Sequence, residues 1–255
     1  MATYKEINGT DITVVSSDPS NPVTGEVWYN TTTQKLKGYQ QVLGNAWASG
    51  GNLNTARSNL TGAGTQTAAL AFAGQTTAPA VSALTEQYDG SSWTEVNDLN
   101  TARQNLAGTG TQTSALAFGG DIPPATNATE LWNGTNWTAV NTLNTARESL
   151  AGSGTDNTSA LAIGGRTAPG PSTAVTESWN GTNWTEVNDL NTARRLLAGA
   201  GTATDALAFG GFTPNTAATE SWNGTSWFEV NDLNTARRSL SGAGTSTAAL
   251  AFGGT

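Results

Sequence analysis

Five arginines recur along the chain at nearly equal intervals, and their side chains are well suited to binding an anion. Each one follows the sequence Leu-Asn-Thr-Ala, and the steps between them are 46, 44, 47 and 43 residues. A guanidinium group presents a planar fork of N–H donors that fits a carboxylate. Two roles are open: a ring of arginines that holds an anionic ligand, and internal bonds to the chain, the commoner use of such charges. The five residues are Arg57, Arg103, Arg147, Arg194 and Arg237.

Tryptophan recurs in the same register, ten residues before each of these arginines. An exposed indole can stack on a sugar ring, whereas one aromatic at a fixed place in every repeat is what the packing between repeats needs. We expect the packing role for this set. Its members are Trp47, Trp93, Trp137, Trp184 and Trp227.

The composition excludes several kinds of chemistry. The chain has no cysteine and no histidine, so it lacks thiolate and imidazole ligands or bases. We expect no metal and no cofactor. The net charge of −8 opposes binding to nucleic acid. No apolar stretch approaches the roughly 20 residues that cross a bilayer, and the first residues do not form a secretory signal. We therefore expect no membrane insertion.

Each repeat predicts four short strands. A glycine-rich segment follows the arginine, and an apolar segment such as residues 115–118 follows that, with Leu116 and Phe118 on one face. A third strand ends at an aromatic residue, an Asn-Gly or Asp-Gly turn follows, and a fourth strand begins near the tryptophan. The apolar segment ends in two glycines, and the second of these is Gly120, Gly165, Gly211 or Gly254 in the last four copies.

This combination of a glycine pair, an aromatic residue before Asn-Gly or Asp-Gly, a later tryptophan and an arginine resembles the kelch repeat. About 200 residues carry the pattern. The first copy departs from it, because Ala73 replaces the first glycine of the pair. The resemblance implies an all-β fold, namely a β-propeller of four-stranded blades.

We expect five blades over residues 26–255, preceded by an anchoring or connecting segment at residues 1–25. The last repeat stops after its second strand, so residues 26–53 are expected to complete it and close the ring, which would remove exposed sheet edges. Six blades, formed by recruiting residues 1–25, are the alternative. The blades are about 54–99, 100–143, 144–190 and 191–233, with a composite of 234–255 and 26–53.

The length variation lies between the second and third strands, which marks surface loops. These loops are residues 75–85, 121–129, 166–176 and 212–219. In such blades they emerge on the same face as the connectors that carry the arginines, and we expect that face to bind. Three loop residues that break the repeat are further ligand candidates: Asp121, Arg166 and Phe212.

Residues 18–31 resemble segments of tail-fibre and other virion proteins of bacteriophages, as do the near-identical repeats. The resemblance implies a non-enzymatic protein on the virion surface, at a tail fibre or capsid, that binds a host-surface glycan or protein. We expect a glycan. Residues 1–25 would contact other virion proteins, and synthesis in the host cytoplasm would need no signal peptide.

Two other functions are weighed against this one. An intracellular kelch-type scaffold for protein interactions would use the same fold. An enzyme resembling the kelch-containing galactose oxidases would need His ligands and a Tyr–Cys crosslink, and this chain has neither histidine nor cysteine. A glycosidase with paired carboxylates is possible in principle. However, the acidic residues recur once per repeat, as repetition produces.

Overall fold

The protein is described by a computed structural model that covers residues 12–21, 26–38, 47–77 and 80–255. The chain divides into two compact units, Met1–Ser49 and Gly50–Thr255. Within the described residues, every regular element is a β-strand. In the same residues, no helix is long and apolar enough to cross a membrane.

The first unit contains a three-stranded sheet in the order β1-β2-β3. Strand β1 runs parallel to β2, and β2 runs antiparallel to β3. The Asp18 carboxylate accepts hydrogen bonds from Trp28 Nε1 and Asn30 Nδ2 and forms a salt bridge with Lys37. The hydrogen bond from Lys37 is the main reason that the pKa of Asp18 falls to about 2. The strands are Thr13–Val15, Val27–Asn30 and Lys35–Gly38.

The second unit contains four antiparallel four-stranded sheets, one for each complete repeat, here called repeat sheets 1 to 4. Sheet 1 has β4 Thr61–Thr65, β5 Ala68–Phe72, β6 Thr85–Tyr88 and β7 Trp93–Val96. Sheet 2 has β8 Ala107–Thr111, β9 Ser114–Phe118, β10 Thr129–Trp132 and β11 Trp137–Val140. Sheet 3 has β12 Ala151–Gly154, β13 Ala160–Ile163, β14 Thr176–Trp179 and β15 Trp184–Val187. Sheet 4 has β16 Ala198–Gly201, β17 Ala206–Phe209, β18 Thr219–Trp222 and β19 Trp227–Glu229.

A fifth repeat sheet contains two strands, β20 Leu240–Thr245 and β21 Ala248–Gly253. Of the third and fourth strands expected at residues 35–48, the described residues 35–38 and 47–48 show no pairing with β21. Lys35–Gly38 pairs with β2, and Trp47 lies outside any strand with 77% of its surface exposed. Pairing across the short turn at residues 31–34 orders little chain, whereas pairing with β21 would close a very long loop. The expected strands also include residues 39, 45 and 46, which lie outside the described residues.

The first strands of the five repeat sheets pack side by side in the order β4, β8, β12, β16 and β20. These strands carry mostly Ala, Gly, Ser and Thr, and their small side chains permit close approach. A chain of backbone hydrogen bonds links the connectors in the same order: Asn105 N–H donates to Asn59, Ser149 to Asn105, Leu196 to Ser149 and Ser239 to Leu196, at 2.8–3.0 Å. All five residues have φ between +53° and +55°. No sheet pairing among the described residues joins the first repeat sheet to the fifth.

The glycine pair at the end of each second strand explains the exception at Ala73. Ala73 has φ +64°, close to the +66° of Gly119, so the first position lies in the left-handed region that an L residue can enter at a cost. Gly120 has φ +105°, where an L residue is rarely found. A Cβ atom on Gly120 would also lie 2.8 Å from the Gln104 carbonyl oxygen. All five copies keep glycine at this second position.

We predict that Gly120→Ala lowers the free energy of unfolding by roughly 2–3 kcal/mol, because it combines backbone strain with this close contact. Gly253→Ala is the matched variant, because its φ is +70° and a Cβ atom there would meet nothing within 4 Å, so the expected loss is about 1–2 kcal/mol. Urea denaturation of both variants measures the difference. An equal or larger loss in Gly253→Ala would contradict the assignment.

Candidate functional site

The connector arginines lie inside the repeat sheets. The side chains of Arg57, Arg103, Arg147 and Arg194 have 0% exposure, and each faces a buried glutamate on the third strand of its own sheet. The nitrogen–oxygen distances are 2.8 Å to Glu86, 2.6 Å to Glu130, 3.0 Å to Glu177 and 3.1 Å to Glu220. Arg194 and Glu220 have the separation of an ion pair without the geometry of a hydrogen bond.

The same glutamates also bind the connector backbone. In sheet 2, Glu130 Oε2 accepts hydrogen bonds from Asn100 N at 2.7 Å and Asn100 Nδ2 at 2.8 Å. Asn100 Nδ2 also donates to the carbonyl oxygen of Trp137. Asn144 and Asn191 make the equivalent bonds in sheets 3 and 4. One buried carboxylate therefore fixes both the arginine and the turn that carries it.

Burial lowers the pKa of the Arg103 guanidinium from its ordinary value, and the Glu130 carboxylate opposes that shift. Arg147 behaves in the same way beside Glu177. A buried charge needs such a partner, since desolvation alone is costly. This arrangement corresponds to the second of the two roles that the sequence left open for the arginines, namely internal bonds to the chain. A ring of these side chains around a ligand would require four of them to leave buried ion pairs.

Arg237 is the exception among the five. Its guanidinium donates to the carbonyl oxygens of Gly253 and Ala251, and no described carboxylate forms a salt bridge with it. Its Nε is buried without a hydrogen-bond partner, as is the Nε of each of the other four connector arginines. The difference follows from the fifth repeat sheet, whose described part has no third strand to supply a glutamate.

Three of the recurrent tryptophans pack between neighbouring sheets. Trp137 and Trp184 contact Phe72 and Phe118 of the preceding sheets, with ring centroids 4.9 Å apart in both cases. The indole N–H groups of Trp137, Trp184 and Trp227 donate to threonine hydroxyls of the preceding sheet at 3.0–3.1 Å. All three are at most 5% exposed. Trp93 is half-buried, and its indole N–H donates to the Gly51 carbonyl oxygen.

The variable loops and the connectors meet at one end of the repeat sheets. The residue after each connector arginine forms an antiparallel bridge with the residue after the glycine pair: Ser58 with Gln75, Gln104 with Asp121, Glu148 with Arg166, and Arg195 with Phe212. Arg238 and Thr255 exchange two backbone hydrogen bonds in the same way. We call these ten residues the rim. The expected association of loops and connectors is therefore present in the described residues.

The rim carries the variation that the repeats otherwise lack. Its composition changes from uncharged at Ser58, Gln75 and Gln104, through acidic at Asp121 and Glu148, to basic at Arg166, Arg195 and Arg238. The connector arginines beside it are the same in all copies. The rim therefore presents a different chemical environment at each repeat on a common backbone.

The candidates Asp121 and Arg166 lie in one cavity of about 490 Å³ between the loops of sheets 2 and 3. Arg166 Nε donates to Glu148 Oε1 at 2.7 Å, and its side chain remains 40% exposed, whereas that of Glu148 is 2% exposed. Partial burial, and then the nearby Glu148, raise the pKa of Asp121 from its ordinary value. Three prolines and one alanine complete the wall. The cavity offers an acceptor and a donor close together beside apolar surface.

The third loop candidate, Phe212, lies between two guanidinium groups. The Cζ atoms of Arg195 and Arg238 are 4.7 and 4.8 Å from its ring centroid. Such distances are typical of cation–π contacts. Neither arginine was singled out from the sequence, although comparing the residue after each connector arginine across the repeats would have shown that this position varies.

The first strands surround a cavity of about 620 Å³. Apart from Trp93, it is lined by backbone and by small or aliphatic side chains from all five repeat sheets, including Gly62, Gly108, Gly152, Gly199 and Gly242. These residues provide little specific chemistry. Among the residues that the structure describes, no group of three His, Cys, Asp or Glu side chains could hold a metal ion.

No protein-family model and no curated protein matches the sequence. The fold is established as all-β, with four-stranded antiparallel sheets repeated along the chain. The kelch and phage resemblances thus rest on the sequence motifs alone.

We predict that Arg103→Ala lowers the free energy of unfolding by about 3–5 kcal/mol, because it leaves Glu130 charged and buried without its partner. Arg237→Ala is the matched control and should cost clearly less, since no salt bridge to a described carboxylate is lost. Chemical denaturation at neutral pH compares the two. A loss below about 1 kcal/mol for Arg103→Ala would contradict the structural role.

Proposed function

We propose that the repeat sheets together form a β-propeller that serves as a non-enzymatic binding domain, and that its rim contacts a glycan on a host cell surface. The observation that supports this is the distribution of variation between the repeats. The buried arginines, glutamates and tryptophans recur, whereas the rim residues and the loops beside them change from one repeat to the next. Variation confined to one edge of a repeated frame is typical of a recognition surface.

The way in which the recurrent carboxylates are used favours binding over catalysis. Glu86, Glu130 and Glu177 are buried, and each is bonded to an arginine and to a connector backbone. These carboxylates already form bonds within the repeat sheets and are not available as a general acid or base. The rim itself offers mixed polar donors and acceptors beside an aromatic ring, which suits the hydroxyl groups and apolar faces of sugars.

A role in a phage virion, at a tail fibre or capsid surface, rests on the resemblance of residues 18–31 and of the repeats to such proteins. In this proposal the N-terminal segment contacts other virion proteins, and the rim faces the host. An intracellular scaffold that binds peptides is the competing function. The same rim would then recognise a protein partner.

We further propose that five repeat sheets form a closed ring and that residues 26–53 complete the fifth sheet. The ten-residue interval between Trp47 and Arg57, shared with the other copies, supports this proposal. In the described residues β21 pairs only with β20, so its other edge is open to a further strand. A strand with an unpaired edge is an aggregation hazard that closure would remove.

We predict that deletion of residues 1–22 leaves a monodisperse, cooperatively unfolding protein, whereas deletion of residues 1–53 causes aggregation because the fifth sheet stays open. Light scattering and thermal unfolding of both truncations measure this. A monomeric and equally stable 54–255 fragment would refute the role of residues 26–53.

We predict that the protein binds glycans on an array and that Asp121→Ala with Arg166→Ala weakens this binding at least about tenfold, the loss expected when charged hydrogen bonds are removed. The control is Thr135→Ala with Thr225→Ala, two exposed residues of the turns between third and fourth strands. It should bind normally. Binding lost only in this control would refute the assignment of the face, and binding to peptides but to no glycan would favour the scaffold. Mass spectrometry of purified virions tests the location.

A further inference from the structure

Phe212 and the two arginines beside it form a cluster that belongs to two successive repeats. Arg195 and Phe212 are partners in one rim bridge and exchange backbone hydrogen bonds of 3.2 and 2.7 Å. Arg238 comes from the next connector, where its backbone exchanges two hydrogen bonds of 3.0 Å with Thr255. The ring therefore lies between guanidinium groups whose backbones are each fixed by a bridge.

Both guanidinium groups lie over the aromatic ring. Stacking on a ring face uses the flat surface of a guanidinium and leaves the N–H donors at its edge directed away from the ring. Arg195 uses one of these donors, Nη1, for a 3.3 Å hydrogen bond to Ser172 Oγ. Both arginines and Phe212 are half-buried, so parts of all three reach the surface.

The positive charge of this cluster is not compensated locally. Within the part of the chain that the structure describes, neither Arg195 nor Arg238 forms a salt bridge, whereas Arg166 is paired with Glu148. The chain as a whole carries a net charge of −8. In an acidic protein, two guanidinium groups without a salt bridge in the described residues would favour the binding of an anion beside them.

We propose that Arg195, Phe212 and Arg238 form a subsite for the carboxylate group of an acidic saccharide. The proposal rests on the glycan-binding function above and assigns the charged sugar to one place on the rim. A single carboxylate fits better than a polyanion such as nucleic acid, because Asp121 and Glu148 lie on the same rim and would repel an extended negative chain. Phe212 is a positioning residue that holds the two donors.

The test is isothermal titration of the full-length protein with sialyllactose, a trisaccharide that carries a single carboxylate. Its methyl ester has the same sugar backbone without the charge. We expect the free acid to bind and the ester to bind at least about tenfold more weakly, because charge-assisted hydrogen bonds are lost. Equal affinity for the acid and the ester would overturn the proposal.

Arg195→Gln and Arg238→Gln should each weaken binding of the free acid by about tenfold or more. Lys35→Gln removes the same charge at an exposed residue that does not belong to the rim, and it should leave the affinity within about twofold. An equal loss in all three variants would indicate a general effect of net charge and would overturn the subsite. Phe212→Leu should weaken binding severalfold, whereas Phe212→Tyr, which keeps the ring, should retain it.

The failures of this inference and of the proposed function are distinguishable. If the protein binds only neutral glycans and loses them in Asp121→Ala with Arg166→Ala, the acidic subsite is refuted and the glycan function stands. If neither sialyllactose nor any glycan on the array binds, both proposals fail. Thermal unfolding of each variant verifies that a loss of binding does not come from loss of the fold.

Discussion

The buried ion pair between a connector arginine and a third-strand glutamate is the interaction on which each complete repeat sheet depends. Arg147 contacts Glu177 at 3.0 Å and also donates to carbonyl oxygens of Gly164 and Ala162. One guanidinium thus joins a connector to the second and third strands of its sheet. Because an unpaired charge inside the sheet would be costly, the connector has little freedom to shift. The position of the rim residue that follows the arginine is fixed as a consequence.

The coupling between sheets uses a different set of contacts. The indole N–H groups of Trp137, Trp184 and Trp227 each donate to a threonine of the preceding sheet, and the connectors form their own chain of backbone hydrogen bonds. Stability in such a protein is approximately a sum of the stability of each repeat and the interactions between neighbours. Thr219 is the next hydroxyl in this series, and its Oγ1 bonds only weakly to Ala217 at 3.4 Å. The described part of the fifth sheet contains no tryptophan to donate to it.

A frame held in this way allows the rim to vary. The residues that differ between repeats lie outside the ion pairs of the connector arginines and outside the indole contacts, so their substitution leaves those pairs and contacts in place. Asp121, Arg166 and Phe212 occupy equivalent places on three sheets and yet offer a carboxylate, a guanidinium group and an aromatic ring. The fold therefore specifies where recognition can occur, while the rim side chains specify what is recognised.

The sequence by itself determined the repeat, the four strands of each complete sheet and the association of loops with connectors, because these depend on local patterns within about 45 residues. It left two roles open for the arginines, since a guanidinium suits an internal carboxylate as well as a ligand, and only the burial beside Glu130 and Glu177 decides between them. The tertiary structure also decided that Lys35–Gly38 pairs with β2. The position of Phe212 between Arg195 and Arg238 could not be predicted, because the arginines are 43 residues apart and meet only through the packing of β16 against β20.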